Sequence, residues 1–349
     1  MPDSAGRLVN ISAGCPIQLI MTPAKLLSSL LLWGILSGAN ADWYHEEAAI
    51  MGTAITVELW CEDPVRCKSL SSDVMREMHR IDDLMSTYKP ESELSRVNAR
   101  AAREPVRVSS ELLQLVTRAL EFSELTHGAF DITYASAGQY YDYRRGRKPT
   151  QEQLARALPA INYHYVKVKP EDETIAFTRP GVRIDLGGIA KGYAVDRSIA
   201  ILQQAGIDRA LVSAGGDTRV IGERWGRAWN VGIRDPRNRE GVVAMIPLQD
   251  LAISTSGDYE RYFEEDGVRY HHILNPGTGK STHAVHSATV IGATATTTDA
   301  LSTSIFVLGT GKGLQLVDSL PDIEAVIIDS EGKMHFSSGL AQHGQAAAN

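Results

Sequence analysis

The sequence predicts an α+β fold, on three observations. Short strand-like segments are numerous and do not alternate regularly with helices, which argues against a doubly wound parallel sheet. The helical segments carry their own caps and stop on glycine or proline. No internal repeat and no long low-complexity linker divides the chain, so the segments read as one unit. With 349 residues, 43% of them hydrophobic and 22% charged, the chain can bury a sizeable core.

The first 41 residues stand apart from that unit. Lys25 precedes an apolar run over 26–36, and the small residues Ser37, Gly38, Ala39, Asn40 and Ala41 follow. A basic n-region, an apolar h-region and an A-x-A site predict export with cleavage after Ala41. The run is short of the roughly 20 apolar residues that a spanning helix needs. No Cys follows it, which argues against a lipid anchor. Because the polar stretch 1–20 fits no signal peptide, Met21 is an alternative start. A single domain is predicted over 42–340, and a disordered tail over 341–349.

Within the domain, 54–60 alternates with β-branched residues and predicts a strand. Leu70, Val74, Met78, Ile81 and Met85 then share one helical face, and Thr87-Tyr88-Lys89-Pro90 ends that helix. Cys61 and Cys67 bracket a short loop and predict a disulfide in an oxidising compartment; two free thiols are the alternative. A second helix is predicted over 109–125, with Ser109 as N-cap, Glu111 in the first turn and Gly128 at C′. A third begins at Thr150, with Gln153 completing a capping box. Between them, 140–148 is rich in Tyr and Arg. It reads as a solvated loop, a clamp for a polyanion or a docking lip for an acidic partner.

In the second half, strand-like 182–186 runs into a glycine turn, and a helix follows with Gly188, Gly192, Val195, Ile199 and Leu202 on one face and Gly206 as its stop. Further strands are predicted over 209–213, 229–234 and 251–254.

Four segments carry possible chemistry. In Asp185-Leu186-Gly187-Gly188-Ile189-Ala190-Lys191-Gly192 a strand delivers an acid to a glycine turn opening a helix, where N–H groups suit phosphate. The spacing is neither a Walker A loop nor a dinucleotide fingerprint, and a tight packing turn accounts for it equally well. In Thr296-Thr297-Thr298-Asp299-Ala300-Leu301-Ser302-Thr303, a helix would put Asp299, Ser302 and Thr303 on one face, three oxygens suited to a hard cation. A first-turn acid with capping hydroxyls is the alternative. Arg269-Tyr270-His271-His272 ends a strand, so only one His can face a given site; His suits proton transfer near neutral pH, and a structural histidine is the alternative. Ser254-Thr255-Ser256-Gly257-Asp258 and Gly128-Ala129-Phe130-Asp131 place small-residue turns beside acids and aromatics. A formal net charge of -7, with no block of Lys and Arg to offset it, argues against nucleic acid as a partner.

Together these segments resemble the ApbE family of FAD:protein FMN transferases, from about residue 51 to about residue 308. The marks, in order, are Met51-Gly52-Thr53, Ser86-Thr87-Tyr88 with Glu93-Leu94-Ser95-Arg96-Val97-Asn98, Gly128 to Asp131, 184–196, 213–217, 254–258, 272–279 and 299–303. The resemblance implies a T-fold-like core of mixed or antiparallel sheet packed with helices, and an FAD cleft against a smaller lobe. It implies that Met51, Tyr88, Ala129, Phe130, Asp131, Asp185, Lys191 and Leu274 line that cleft. It implies Mg²⁺ at Asp299 and Thr303, with the Gly188 carbonyl and Ser302 nearby. His272, not His271, matches the family's histidine and would be the general base or the group that orients the attacking hydroxyl. The implied reaction splits FAD and places FMN on a Thr or Ser of another protein, releasing AMP. Implied acceptors are subunits of membrane NADH or ferredoxin oxidoreductases. The chain departs from the family after Asp131, where Ile132-Thr133-Tyr134-Ala135-Ser136 leads into the Tyr- and Arg-rich segment. The same residues would serve an FAD pyrophosphatase, and a flavin carrier without catalysis is the reading from another class.

Overall fold

An eight-stranded sheet forms the centre of the computed structural model, which describes residues 42–238 and 240–341. Its order is Asp42–Ile50, Thr53–Cys61, Ala210–Ala214, Asp217–Ile221, Ala252–Gly257, Val285–Gly292, Glu324–Asp329 and Met334–Phe336, every neighbouring pair antiparallel. The predicted leader and positions 342–349 of the predicted tail lie outside the described residues. Ala341 does not belong to a tail: it closes a helical turn by donating its N–H to the Ser337 carbonyl at 3.0 Å.

Seven α-helices among the described residues complete the architecture: α1 (Pro64–Met85), α2 (Glu93–Arg100), α3 (Ser110–Leu125), α4 (Ala135–Gly138), α5 (Gln151–Ala157), α6 (Ala190–Gln204) and α7 (Ala295–Asp318). Helices α1, α6 and α7 cover one face of the sheet. Their apolar stripes face it: Val74, Met78 and Ile81 from α1, and Val195, Ile199 and Leu202 from α6, are fully buried. Each such aliphatic side chain contributes about 1.5–3 kcal/mol on leaving water. The opposite face is covered by the hairpin Trp229–Arg234/Val242–Leu248, around a second cluster of Val220, Trp229, Ile233, Leu248, Ile253, Ile291 and Val326. A smaller lobe holds α2, α3 and a three-stranded sheet of Val106–Arg107, Thr174–Phe177 and Val166–Lys169. Its apolar residues join the main core without a break. This is the α+β arrangement that the sequence predicts. No helix among the described residues is long and apolar enough to cross a membrane.

Local signals explain the boundaries. Asp63 caps α1 by accepting from the Val65 N–H, with Pro64 at the first helical position. Thr150 and Gln153 form the expected capping box on α5. Ser109 caps α3 as expected, but C′ is His127 (φ 51°), and Gly128 (φ 82°) follows it. Cys61 and Cys67 form a disulfide, with Cα atoms 5.7 Å apart.

One expectation is corrected. Residues 182–186 are extended but pair with no strand. Side chains take the place of a neighbour: Asn98 accepts from the Ile184 N–H (2.7 Å) and donates to the Ile184 carbonyl (2.8 Å), and Ser136 Oγ accepts from the Arg183 N–H (3.0 Å). Alternation in the sequence cannot distinguish such a strap from a strand. Helix α7 is itself broken inside its span at Gly309 (φ 78°, ψ 176°).

Candidate functional site

The sheet, α6, α7 and the smaller lobe enclose a cleft of about 500 Å³. Met51 and Gly52 form its first edge. They are the two turn residues of the hairpin that pairs Ile50 with Thr53, and both have positive φ (55° and 71°). Two left-handed positions match a tight hairpin turn, at a cost for the non-glycine Met51. Opposite them, Tyr88 stands at the mouth, 85% exposed.

The segment Ala129-Phe130-Asp131 forms a second wall. Asp131 Oδ1 accepts from the Thr133 N–H (2.8 Å) and hydroxyl (2.5 Å), and Oδ2 from the Tyr163 N–H (2.9 Å). Burial raises its pKa against these donors. With both oxygens taken, Asp131 shapes the wall more than it offers a free acceptor. Phe130 abuts the glycine turn: a Cβ on Gly188 would lie 3.1 Å from the Phe130 ring and 3.2 Å from Thr303 Oγ1. Only glycine brings that backbone so near both.

Asp185 is a hub at the end of the extended strap. Its carboxylate accepts from Thr87 Oγ1 (2.9 Å), Tyr134 OH (3.0 Å) and the Gly187 N–H (2.7 Å). Burial, then the Asp185 charge, pushes the Tyr134 hydroxyl far above its ordinary range, so it remains a donor.

The charged end of the cleft lies where α6 meets α7. Asp299 is 2% exposed. It does not sit in the first turn of its own helix, where the sequence offered it a stabilising role; it caps α6 instead, Oδ2 accepting from the Gly192 N–H at 3.0 Å. Lys191 Nζ lies 2.5 Å from Asp217 Oδ2 and 3.4 Å from each Asp299 oxygen. Burial opposes the ammonium, but Asp217 and Asp299 outweigh it and raise the Lys191 pKa. Burial, and then Asp217, raises that of Asp299. Thr303 follows Asp299 by one helical turn and faces the cleft, whereas Ser302 does not line it. Ser302 Oγ bonds the Asp299 carbonyl (3.0 Å) and Ser256 Oγ (2.9 Å), and Ser256 reaches Thr303 Oγ1 at 3.2 Å. Ser302 therefore supports the turn from behind.

The adjacent histidines separate as strand alternation requires. His271 ends the strand Val268–His271, is buried, accepts from the Ile273 N–H through Nδ1 (3.3 Å) and packs edge-on to Phe306. His272 lines the cleft beside Leu274. Its backbone N–H bonds the Arg261 carbonyl (3.1 Å), and its buried Nδ1 has no partner among the described residues. Burial, with Arg261 adding to it, lowers its pKa to about 3, so the ring is neutral at physiological pH.

Every residue expected at the site except Ser302 thus lines the cleft. Sequence reasoning passed over Thr87, Tyr134, Asn98, Ser256 and Asp217 as individual site residues. Asp217 and Ser256 lay inside segments that stood out, but nothing local to them names Lys191 or Thr303 as the partner.

Fold and cleft define an α+β protein whose cleft runs between an aromatic wall and a buried charged end. The sequence matches the ApbE family over residues 51–327. An FAD:protein FMN transferase of Vibrio cholerae is 35% identical over 327 residues, covering 89% of this chain and 96% of that protein. One from Treponema pallidum is 31% identical, covering 86% and 89%. Among solved structures, the ApbE protein of Thermotoga maritima superposes with TM-score 0.79 at 35% identity, covering 86% of this chain and 99% of that one. The flavin transferase ApbE of Vibrio cholerae superposes with TM-score 0.76 at 31% identity, covering the same shares. The chain belongs to the ApbE family.

Proposed function

We propose that this chain is an FAD:protein FMN transferase that places FMN on a threonine or serine of an acceptor protein. The observation that carries this reading is His272. A neutral imidazole with a buried nitrogen that has no partner among the described residues faces the same cleft as Lys191, Asp299 and Thr303. A free acceptor nitrogen beside an anion-holding end is what hydroxyl activation for phosphoryl transfer needs.

In the proposed reaction the acceptor oxygen forms a bond to the FMN-side phosphorus of FAD. The bond between that phosphorus and the bridging oxygen breaks, AMP leaves with the oxygen and its electron pair, and the hydroxyl proton passes to His272. Lys191 and the first turn of α6 oppose the diphosphate charge. Phe130 and Tyr134 bound the space for the flavin, and the cleft walls exclude water.

The donor set fits a hard cation. Among the described residues no three His, Cys, Asp or Glu converge on a metal position. One carboxylate (Asp299) and one hydroxyl (Thr303), with the Gly188 carbonyl in the facing turn, leave coordination to be completed by substrate oxygens, as Mg²⁺ prefers. Held there, Mg²⁺ would offset charge developing on the diphosphate.

Export to the periplasm with cleavage after Ala41, and acceptors among the subunits of membrane NADH or ferredoxin oxidoreductases, belong to the same proposal. Sequencing the exported protein's N-terminus tests the first. Incubation with FAD and Mg²⁺, with and without a threonine-bearing acceptor, tests the chemistry. FMN on the acceptor plus AMP supports transfer, free FMN and AMP without labelled acceptor supports hydrolysis, and intact FAD supports a carrier.

A further inference from the structure

Beside the cleft mouth, residues 142–147 form a tight hairpin. Asp142 and Arg147 exchange both backbone hydrogen bonds at 2.9 Å, and Gly146 (φ 60°) closes the turn. The hairpin is fixed by aromatic packing. Tyr141 stacks on Tyr143 with centroids 5.6 Å apart, Tyr143 meets Phe263 at 6.3 Å, and Phe263 stacks on Tyr270 at 5.1 Å. A Cβ on Gly146 would lie 3.7 Å from the Phe263 ring. Lys148 sits 4.4 Å over the Tyr270 ring and pairs with Glu265. Tyr141 and Tyr143 line the cleft itself, so the hairpin is part of its rim.

At its tip Arg144, Arg145 and Arg147 are exposed. Arg145 has a loose contact with Asp142 (3.7 Å), whereas Arg144 and Arg147 pair with no carboxylate among the described residues. Three guanidinium groups held together repel one another, and the chain as a whole carries a net charge of -7. A rigid cationic rim on an anionic protein is a local inversion of charge, and it favours an anionic visitor.

We propose that this hairpin docks the acceptor protein through an acidic stretch beside the modified threonine or serine. The inference rests on the transferase reading. An acceptor hydroxyl must enter through this mouth, so residues flanking it pass the arginine tip. The groups suited to the FAD diphosphate, Lys191 and the first turn of α6, lie at the buried end and are separate from the tip. Charge complementarity at the rim would steer and hold the acceptor without altering the flavin site.

The test is the binding of two fluorescent threonine peptides by anisotropy, one with three flanking acids and one with glutamines in their place, to the protein with FAD and no Mg²⁺. The acidic peptide should bind at least tenfold tighter in about 0.01 M salt, and the difference should shrink at about 0.15 M, where screening shortens to about 8 Å. The R144E/R145E/R147E variant, which alters only exposed side chains, should abolish the difference and leave FAD affinity unchanged. Equal binding of both peptides by the unaltered protein would overturn the proposal, and so would loss of FAD affinity in the variant, which would assign the tip to the flavin substrate. Because binding is read without turnover, a protein that binds the acidic peptide yet only hydrolyses FAD would refute the transferase reading alone.

Discussion

Gly192→Ala is the sharpest perturbation of the charged end, and its cost follows from the contacts. Gly192 lies in the first turn of α6, where α7 crosses it. A Cβ there would sit 2.6 Å from the Ala295 carbonyl carbon and 2.8 Å from Asp299 Cβ, with the Ala295 oxygen nearer still. Favourable carbon contacts are about 3.5–4.0 Å. The obstacle is backbone, so no rotamer change relieves it, and α6 and α7 must part by about 1 Å. Alanine gains about 1 kcal/mol in helix propensity. Against this stand about 1–3 kcal/mol of overpacking and about 1.5–3 kcal/mol for the Gly192 N–H to Asp299 bond, which is stretched from 3.0 Å. The net is a destabilisation of about 1.5–5 kcal/mol. Urea unfolding followed by circular dichroism reads it directly. The exposed helical Gly311, whose Cβ would meet nothing within 4 Å, is the control: Gly311→Ala should be neutral or stabilising by up to about 1 kcal/mol. An unchanged midpoint for Gly192→Ala would refute the claim that the two helices need a bare backbone where they cross.

His272→Ala should keep FAD affinity, read by flavin fluorescence, and slow transfer by about 10²–10⁴-fold; undiminished transfer would remove His272 from the reaction. Asp299→Asn should abolish the dependence of turnover on Mg²⁺ concentration, and an unaltered Mg²⁺ titration would count against the carboxylate as a ligand. Burial holds the His271 and His272 pKa values at about 4 and about 3, below their ordinary 6.5, so the unfolded chain takes up protons first as pH falls. Their contribution to stability is complete above pH about 6.5 and declines toward pH about 4, by at most about 1.4 kcal/mol per pH unit for each ring. His272→Gln should therefore flatten the acid limb of the urea midpoint by about one proton. Cys61→Ser should cost about 2–3 kcal/mol through the short closed loop, whereas an unaltered unfolding midpoint would leave the bridge without a stabilising role.

How much of the fold was legible depended on whether the signal was local. The helix α5 was readable because Thr150 and Gln153 are three residues apart and satisfy each other's backbone. The stop of α6 was readable because Gly206 (φ 79°) needs no distant partner. The segment 182–186 was misread because its apolar alternation is genuine: Val182, Ile184 and Leu186 are all buried. What it lacks is a neighbouring strand, and the groups that stand in for one, Asn98 and Ser136, lie 86 and 47 residues away from those they bond.

The site divides along the same line. Its donor residues stood out because glycine turns and i, i+4 hydroxyls are visible in a few residues of sequence. The orientation of the helix that carries them was not. Asp196, in the middle of α6, accepts from the Ala295 N–H (2.9 Å), the Thr296 N–H (2.8 Å) and the Thr296 hydroxyl (2.5 Å), and it also pairs with Arg219 (2.7 Å). An acid from one helix thus caps the N-terminus of the next, where orphan N–H groups and the helix dipole favour negative charge. Asp299 returns the favour by capping α6. The two helices hold each other's first turns, and this reciprocal pinning sets the distance between Lys191 and Thr303 across the cleft end. In sequence nothing marks Asp196 for this role, and Asp299 stands out only for sharing a helical face with Ser302 and Thr303. Their function is a relation between segments about 100 residues apart, and it becomes visible only when both helices are seen lying on the same sheet.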